Sequence, residues 1–122
     1  MIEKIARIAH GINKAYCESI GDNSLKNWDE SGEWMKNSVM NGVKYQLEYS
    51  GPPKKLHENW MKEKKENGWK YGEVKDPVKK EHPCFLPYDE LDQAQKSKDW
   101  IFTAVVQELR GLACPKRGLT EK

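Results

Sequence analysis

"GWKYGEVKDPVKKEHP" (Gly68–Pro83) holds two aromatics, two glycines, four lysines, two prolines and a histidine within sixteen residues. It shows neither the three-and-four spacing of an amphipathic helix nor the alternation of a half-buried strand. A long polar connection that carries aromatics is either a disordered linker or an ordered loop that holds a site. Its flanks decide between the two.

On the N-terminal side a helix is predicted from about Lys54 to Asn67, with Leu56 and Trp60 on one face and Gly68 in the place of a C-terminal cap glycine. On the C-terminal side Asp92 and Gln95 have capping-box spacing, and Ile101, Ala104, Val105, Leu109 and Leu112 repeat with helical period until "ACP". Further out, "SGPP" at 50–53 is the clearest break in the chain, because Gly and two prolines stop a helix. Before it lie two more helical segments. Residues 2–20 place Ile5, Ile8, Ala9, Ile12, Ala15, Tyr16 and Ile20 near one face, and "IGDNS" ends that helix. The second runs from about Asp29, a candidate N-cap, to Tyr49, with Met35, Val39, Val43 and Leu47 on one side. Gly42 inside it marks a close helix crossing. The expected fold class is mainly α: an N-terminal helical hairpin (1–53) packed on a second unit (54–114) whose two main helices are joined by a long ordered loop, then a tail (115–122). No internal repeat and no low-complexity tract is evident.

The 122 residues suit one core, and five Trp and five Tyr offset the polar composition of 37% hydrophobic and 33% charged residues. The net charge of +2 is too small for a dedicated binder of duplex nucleic acid. It is unevenly spread: residues 54–80 carry nine Lys against five acids, between two segments of −1 each. Cys17, Cys84 and Cys114 are odd in number and widely spaced, which predicts reduced thiols. The longest apolar run, "WIFTAVV", is too short to span a bilayer, so a soluble protein of the cytoplasm is expected.

Trp69, Tyr71, Val74 and Phe85 can pack as the loop's own core, while Pro77, Pro83 and Pro87 limit the entropy lost on ordering it. The same rings can form a stacking wall for a planar ligand, with Lys70, Lys75, Lys79 and Lys80 nearby for an anion. Neither G-x-x-x-x-G-K-[ST] nor G-x-G-x-x-G occurs. His82 and Cys84 in "HPC" lack the further paired ligands of a zinc site, so no metal or cofactor is expected and His82 reads as a hydrogen-bonded loop anchor. Cys84 could be paired with His82 or His57, but nothing marks its thiol as activated and no carboxylate pair stands out; no enzyme is expected.

The stretch "LHENWMKEKKENGWKYGEVKDPVKKEHPCFLPYDELDQAQKSKDWIFTAVVQEL" closely resembles the RyR domain, the repeat named for ryanodine receptors. The resemblance rests on His57 and Trp60, Gly68 to Gly72, Lys75 with Asp76, His82 to Tyr88, and the helix from Asp99 onward, and it covers about half of the chain. Glu73 and Trp100 depart from the usual pattern. The segment before it looks like the helical extension of small bacterial and bacteriophage members. In the channels two repeats face each other around a tryptophan-walled space that resembles an adenine-nucleotide site, and prokaryotic relatives are associated with nucleotide-derived signals, including those of antiphage defence. The resemblance therefore implies a binding module for a nucleotide or nucleotide-derived small molecule, with Trp60, Trp69 and Tyr71 as ring wall and Lys75, Lys79, Lys80, His82 and Tyr88 as polar candidates. A phage protein that sequesters an immune signal is one such role. The alternative is a protein-interaction module that uses the same aromatic surface. Because a single repeat offers one wall, and because Trp28, Trp34, Met35, Tyr45 and Tyr49 crowd the hairpin, a homodimer is expected.

Overall fold

The computed structural model describes residues 1–113; Cys114 and the tail lie outside the described residues. Four helices account for most of it: α1 (Ile2–Ser19), α2 (Glu33–Tyr49), α3 (Pro53–Glu66) and α4 (Gln93–Ala113). The mainly α architecture matches the sequence expectation. Among the described residues no helix is long and apolar enough to cross a membrane. Ile5 and Ala6 of α1, Val43 of α2 and Val106 of α4 meet Trp28 in the core, so the hairpin and the second unit share one interior. Helix α4 buries Thr103 and Val106, packs Phe102 and Leu109 against the core and leaves Ala104 exposed, so the expected stripe holds at Leu109 but not at Ala104.

Helix α2 starts later than the sequence suggested. Asp29 does not cap it but sits in a short 3-10 turn, Trp28–Glu30, and pairs with Arg7 at 2.6 Å, while Gly32 is the residue before the helix. Gly42 marks the close crossing: a Cβ there would lie 3.0 Å from the Phe102 ring of α4. Asp92 caps α4 by accepting from the Gln95 N–H at 2.9 Å, but Gln95 does not return the bond. Its side chain instead accepts from the Cys84 thiol at 2.9 Å.

The loop after α3 is ordered by its own backbone. Two short strands, β1 (Lys70–Tyr71) and β2 (Glu81–His82), pair in parallel with Lys70 opposite Glu81 and Tyr71 opposite His82. Asp76 closes the excursion between them, accepting from the Val78 and Lys79 N–H groups at 3.0 and 3.1 Å. Gly68 adopts φ +88°, as a cap glycine should. Gly72 serves a different purpose from the special backbone angle its place in the loop suggests: a Cβ there would fall 2.5 Å from the Glu81 Cβ. Gly72→Ala should therefore force the strands apart and erase much of the near-UV circular dichroism, whereas Lys79→Ala, on an exposed residue, should leave it unchanged.

The structure also corrects the absence of an internal repeat. Both α1 and α3 end alike: Ile20 and Asn67 have φ, ψ of −107°, 15° and −95°, 11°, and Gly21 and Gly68 follow with φ of +92° and +88°. The next N–H reaches back five residues in each case, Asp22 to Cys17 O at 2.8 Å and Trp69 to Lys64 O at 2.9 Å. His10 Nε2 meets Lys26 O at 2.6 Å and His57 Nε2 meets Leu86 O at 2.7 Å. Arg7 pairs with Asp29, and Lys54 with Asp89 at 3.1 Å. A 3-10 turn, Trp28–Glu30 or Tyr88–Glu90, precedes the second helix of each pair. Matched residues are 47 apart through the first helices and 60 apart through the second, so the loop is an insertion of 13 residues in the second unit.

Candidate functional site

A cleft of about 310 Å³ opens between the two helical pairs, within the range of small-molecule sites. The α3 face supplies Leu56, His57 and Trp60; the loop supplies Lys75, His82 and Cys84; α4 supplies Lys98, Asp99 and Phe102. The opposite wall comes from the hairpin, with Asn13 of α1, Asp22 of the turn, and Met35, Ser38 and Gly42 of α2.

The Trp60 ring is held by its neighbours: His57 stacks on it at 5.5 Å, and His82 meets it edge-on at 5.0 Å. His82 is fixed in turn, because its Nδ1 accepts from the Cys84 N–H at 3.0 Å, as a loop anchor should. Burial, with Lys75, Lys64 and Lys98 adding to it, pushes the His82 pKa down to about 3. The ring is neutral near pH 7, and with Nδ1 accepting, Nε2–H is its free donor. Burial pushes the Cys84 thiol up to about 11, which leaves it protonated and donating to Gln95 rather than poised as a nucleophile.

Lys75 and Lys98 form no salt bridge among the described residues. Burial holds the Lys75 ammonium below its ordinary pKa, Lys98 depresses it further, and Asp22 opposes both effects. Asp22 itself is kept ionised by hydrogen bonds from Ser24, including the Ser24 N–H at 3.0 Å.

At the α4 side, Asp99 Oδ2 lies 3.7 Å from His57 Nδ1. The contact is not an ion pair. His57 Nε2–H donates to Leu86 O and burial lowers the His57 pKa, so Nδ1 carries a lone pair. Burial raises the Asp99 pKa to about 7 against the opposing pull of Lys98, so below neutral pH the carboxyl is mostly protonated and faces that lone pair as a neutral group.

A family model described as the RyR domain matches residues 52–113, half of the chain, spanning α3, the loop and α4. The chain belongs to the RyR domain family. Membership supports a ligand- or protein-binding module. The RyR domain supplies one wall of the cleft, with its ring and both lysines, and the hairpin before it supplies the other.

Of the residues expected at a site in the RyR domain, Trp60, Lys75 and His82 meet in this cleft. Trp69 and Lys80 line a separate groove beside α2. There Trp69 is buried against Trp34 at 5.2 Å, and Lys64, only 3% exposed, places its ammonium 5.2 and 5.0 Å from the two ring centres. Tyr71 and Lys79 are exposed and line neither space. Tyr88 lines neither space either: its ring lies 6.1 Å from that of His57, and its hydroxyl accepts from Trp100 Nε1–H at 2.9 Å. Sequence reasoning overlooked Lys98, Asp99 and the whole hairpin wall. Gln95, Lys98, Asp99 and Phe102 share one face of α4 by three-and-four spacing, a signal hidden because the face is polar at three of its four positions.

Proposed function

We propose that this RyR domain protein is a non-enzymatic receptor for one small anionic ligand with a flat ring, of the nucleotide or nucleotide-derivative class. The observation that carries the reading is that the Trp60 ring lines the same cleft as two ammonium groups, Lys75 and Lys98, that have no salt-bridge partner among the described residues. A ring stacks on the indole, an acidic group neutralises the lysines, and His82 Nε2–H and Asp99 offer hydrogen bonds between them. The neutral His82 and protonated Cys84 support binding without chemistry.

Isothermal calorimetry with adenosine monophosphate, ADP-ribose and a cyclic dinucleotide tests this directly. Stacking on an aromatic is worth about 1–3 kcal/mol per base, so Trp60→Ala should weaken the tightest of them by about 5- to 150-fold. Lys98→Gln should weaken it and flatten its salt dependence. Trp69→Ala should lower stability by releasing Lys64 while sparing affinity. Failure of all three probes to bind would remove the reading.

A second reading has its own support. Tyr71, Val74 and Val78 all stand exposed on the loop, Val78 at 93%, an apolar edge suited to a protein partner. A stoichiometric partner lost on Val74→Asp and Val78→Asp, with an intact cleft that takes no probe, would favour it.

A further inference from the structure

We propose that residues 1–50 are a second, pared-down RyR-like unit, and that the cleft is a single asymmetric binding site completed within one chain, in which Asn13 and Ser38 of that unit contact the ligand. The inference rests on the receptor reading above and adds the half of the site that lies outside the matched segment.

The repeated geometry carries it. Two unrelated helical hairpins do not share a cap with the same dihedral angles, a histidine that reaches the carbonyl two residues before a 3-10 turn, and a cation three residues earlier on the carboxylate of that turn. All three occur at constant offset here. Burial follows the same offsets: His10 with His57, Cys17 with Lys64, Val43 with Thr103 and Gln46 with Val106 are matched pairs, and every member is buried.

The packing relates the two units by a pseudo-twofold. Helix α1 packs on α2 and α4, α3 packs on α4 and α2, and exchanging the units leaves that pattern unchanged. Gly42 and Phe102 are matched positions that touch each other, which happens only near such an axis. The cleft straddles it, because matched residues face it from both sides: Asn13 opposes Trp60 and Ser38 opposes Lys98.

The two walls are equivalent in backbone and different in chemistry. Where the RyR domain presents an indole and an ammonium, the first unit presents an amide and a hydroxyl. A ligand therefore has one orientation, with ring and anion towards the RyR domain and hydroxyl or amino groups towards Asn13 and Ser38. Neutral hydrogen-bonding groups opposite a ring and two cations suit a molecule that joins a base to a phosphate through a sugar. The site needs no second chain, so the homodimer expected for a one-walled pocket loses its main reason.

Near-isosteric Asn13→Asp, and independently Ser38→Asp, would place a carboxylate in the first unit's wall without touching the RyR domain. Circular dichroism first confirms that each variant is folded. Calorimetry with adenosine monophosphate, or whichever of the three probes the wild type binds best, should give one ligand per chain and an affinity at least tenfold weaker for both variants. Gel filtration with light scattering should give the mass of one chain with the probe present. A half-site stoichiometry, or wild-type affinity in both variants while Trp60→Ala still weakens binding, would overturn the intrachain site and leave the receptor reading standing. A wild type that binds no probe would overturn both.

Discussion

Asp99→Asn should stabilise the protein at pH 8 and leave it nearly unchanged at pH 4. Burial raises the Asp99 carboxyl from an ordinary 3.8 to about 7, so as pH climbs through that interval the unfolded chain ionises while the folded chain holds its proton. Stability from this group is present below pH 4 and lost as pH rises towards 7, and at 1.4 kcal/mol per pKa unit the loss is on the order of 4 kcal/mol. The amide carries no charge at any of these pH values and so avoids that cost. His82 acts with the opposite sign: its folded pKa of about 3 against an ordinary 6.5 costs stability as pH falls from 6.5. In the wild type the two trends oppose each other between about pH 4 and 6.5. Removing Asp99 exposes the His82 trend, so the variant's melting temperature should rise steeply with pH across that range. Equal melting temperatures for variant and wild type at pH 8 would show that Asp99 is not held neutral. Because neutral Asp99 adds no negative charge beside Lys98, an anionic ligand should bind more tightly at pH 6 than at pH 8.

The other large effect should come from Trp28→Ala. Trp28 is buried where α1, α2 and α4 meet, with its ring edge-on to His10 at 5.8 Å. Truncating a core tryptophan costs about 3–5 kcal/mol, much of the stability of a domain this size. Its matched residue Tyr88 is half-buried and reaches out to Trp100, so Tyr88→Ala should cost clearly less. Urea denaturation of both variants measures the difference. Similar losses would mean that the core is not shared between the units in the way the packing indicates.

The sequence carried the helices because Ile5, Ala9, Val43 and the Gly68 cap obey local rules that tertiary contacts did not override. It carried the ordered loop through the prolines, but not the Asp76 turn that closes it, and it placed Tyr71 and Val74 in a loop core where both are exposed. It did not carry the repeat. Only six matched pairs are identical, His10 with His57 and Asp29 with Asp89 among them, and the inserted loop breaks the register between the halves. What is repeated is a cap geometry and a few polar anchors, the histidine to a carbonyl and the cation to the turn carboxylate, while most residues between them have diverged. The site was half legible, since rings and lysines near in sequence suggested one wall, but Trp69 and Lys80 turn towards Trp34 and Lys64 instead, and no linear spacing reports which side of a loop a ring will face.

Gly42 against Phe102 has a consequence for how such a molecule can change. In an assembly of two identical subunits, a residue on the axis must fit against its own copy: two phenylalanines would collide there and two glycines would leave a hole. Covalent linkage lifts that condition, so each half is free to diverge on its own. One half becomes a socket and the other a plug, and neither can any longer pair with a twin of itself.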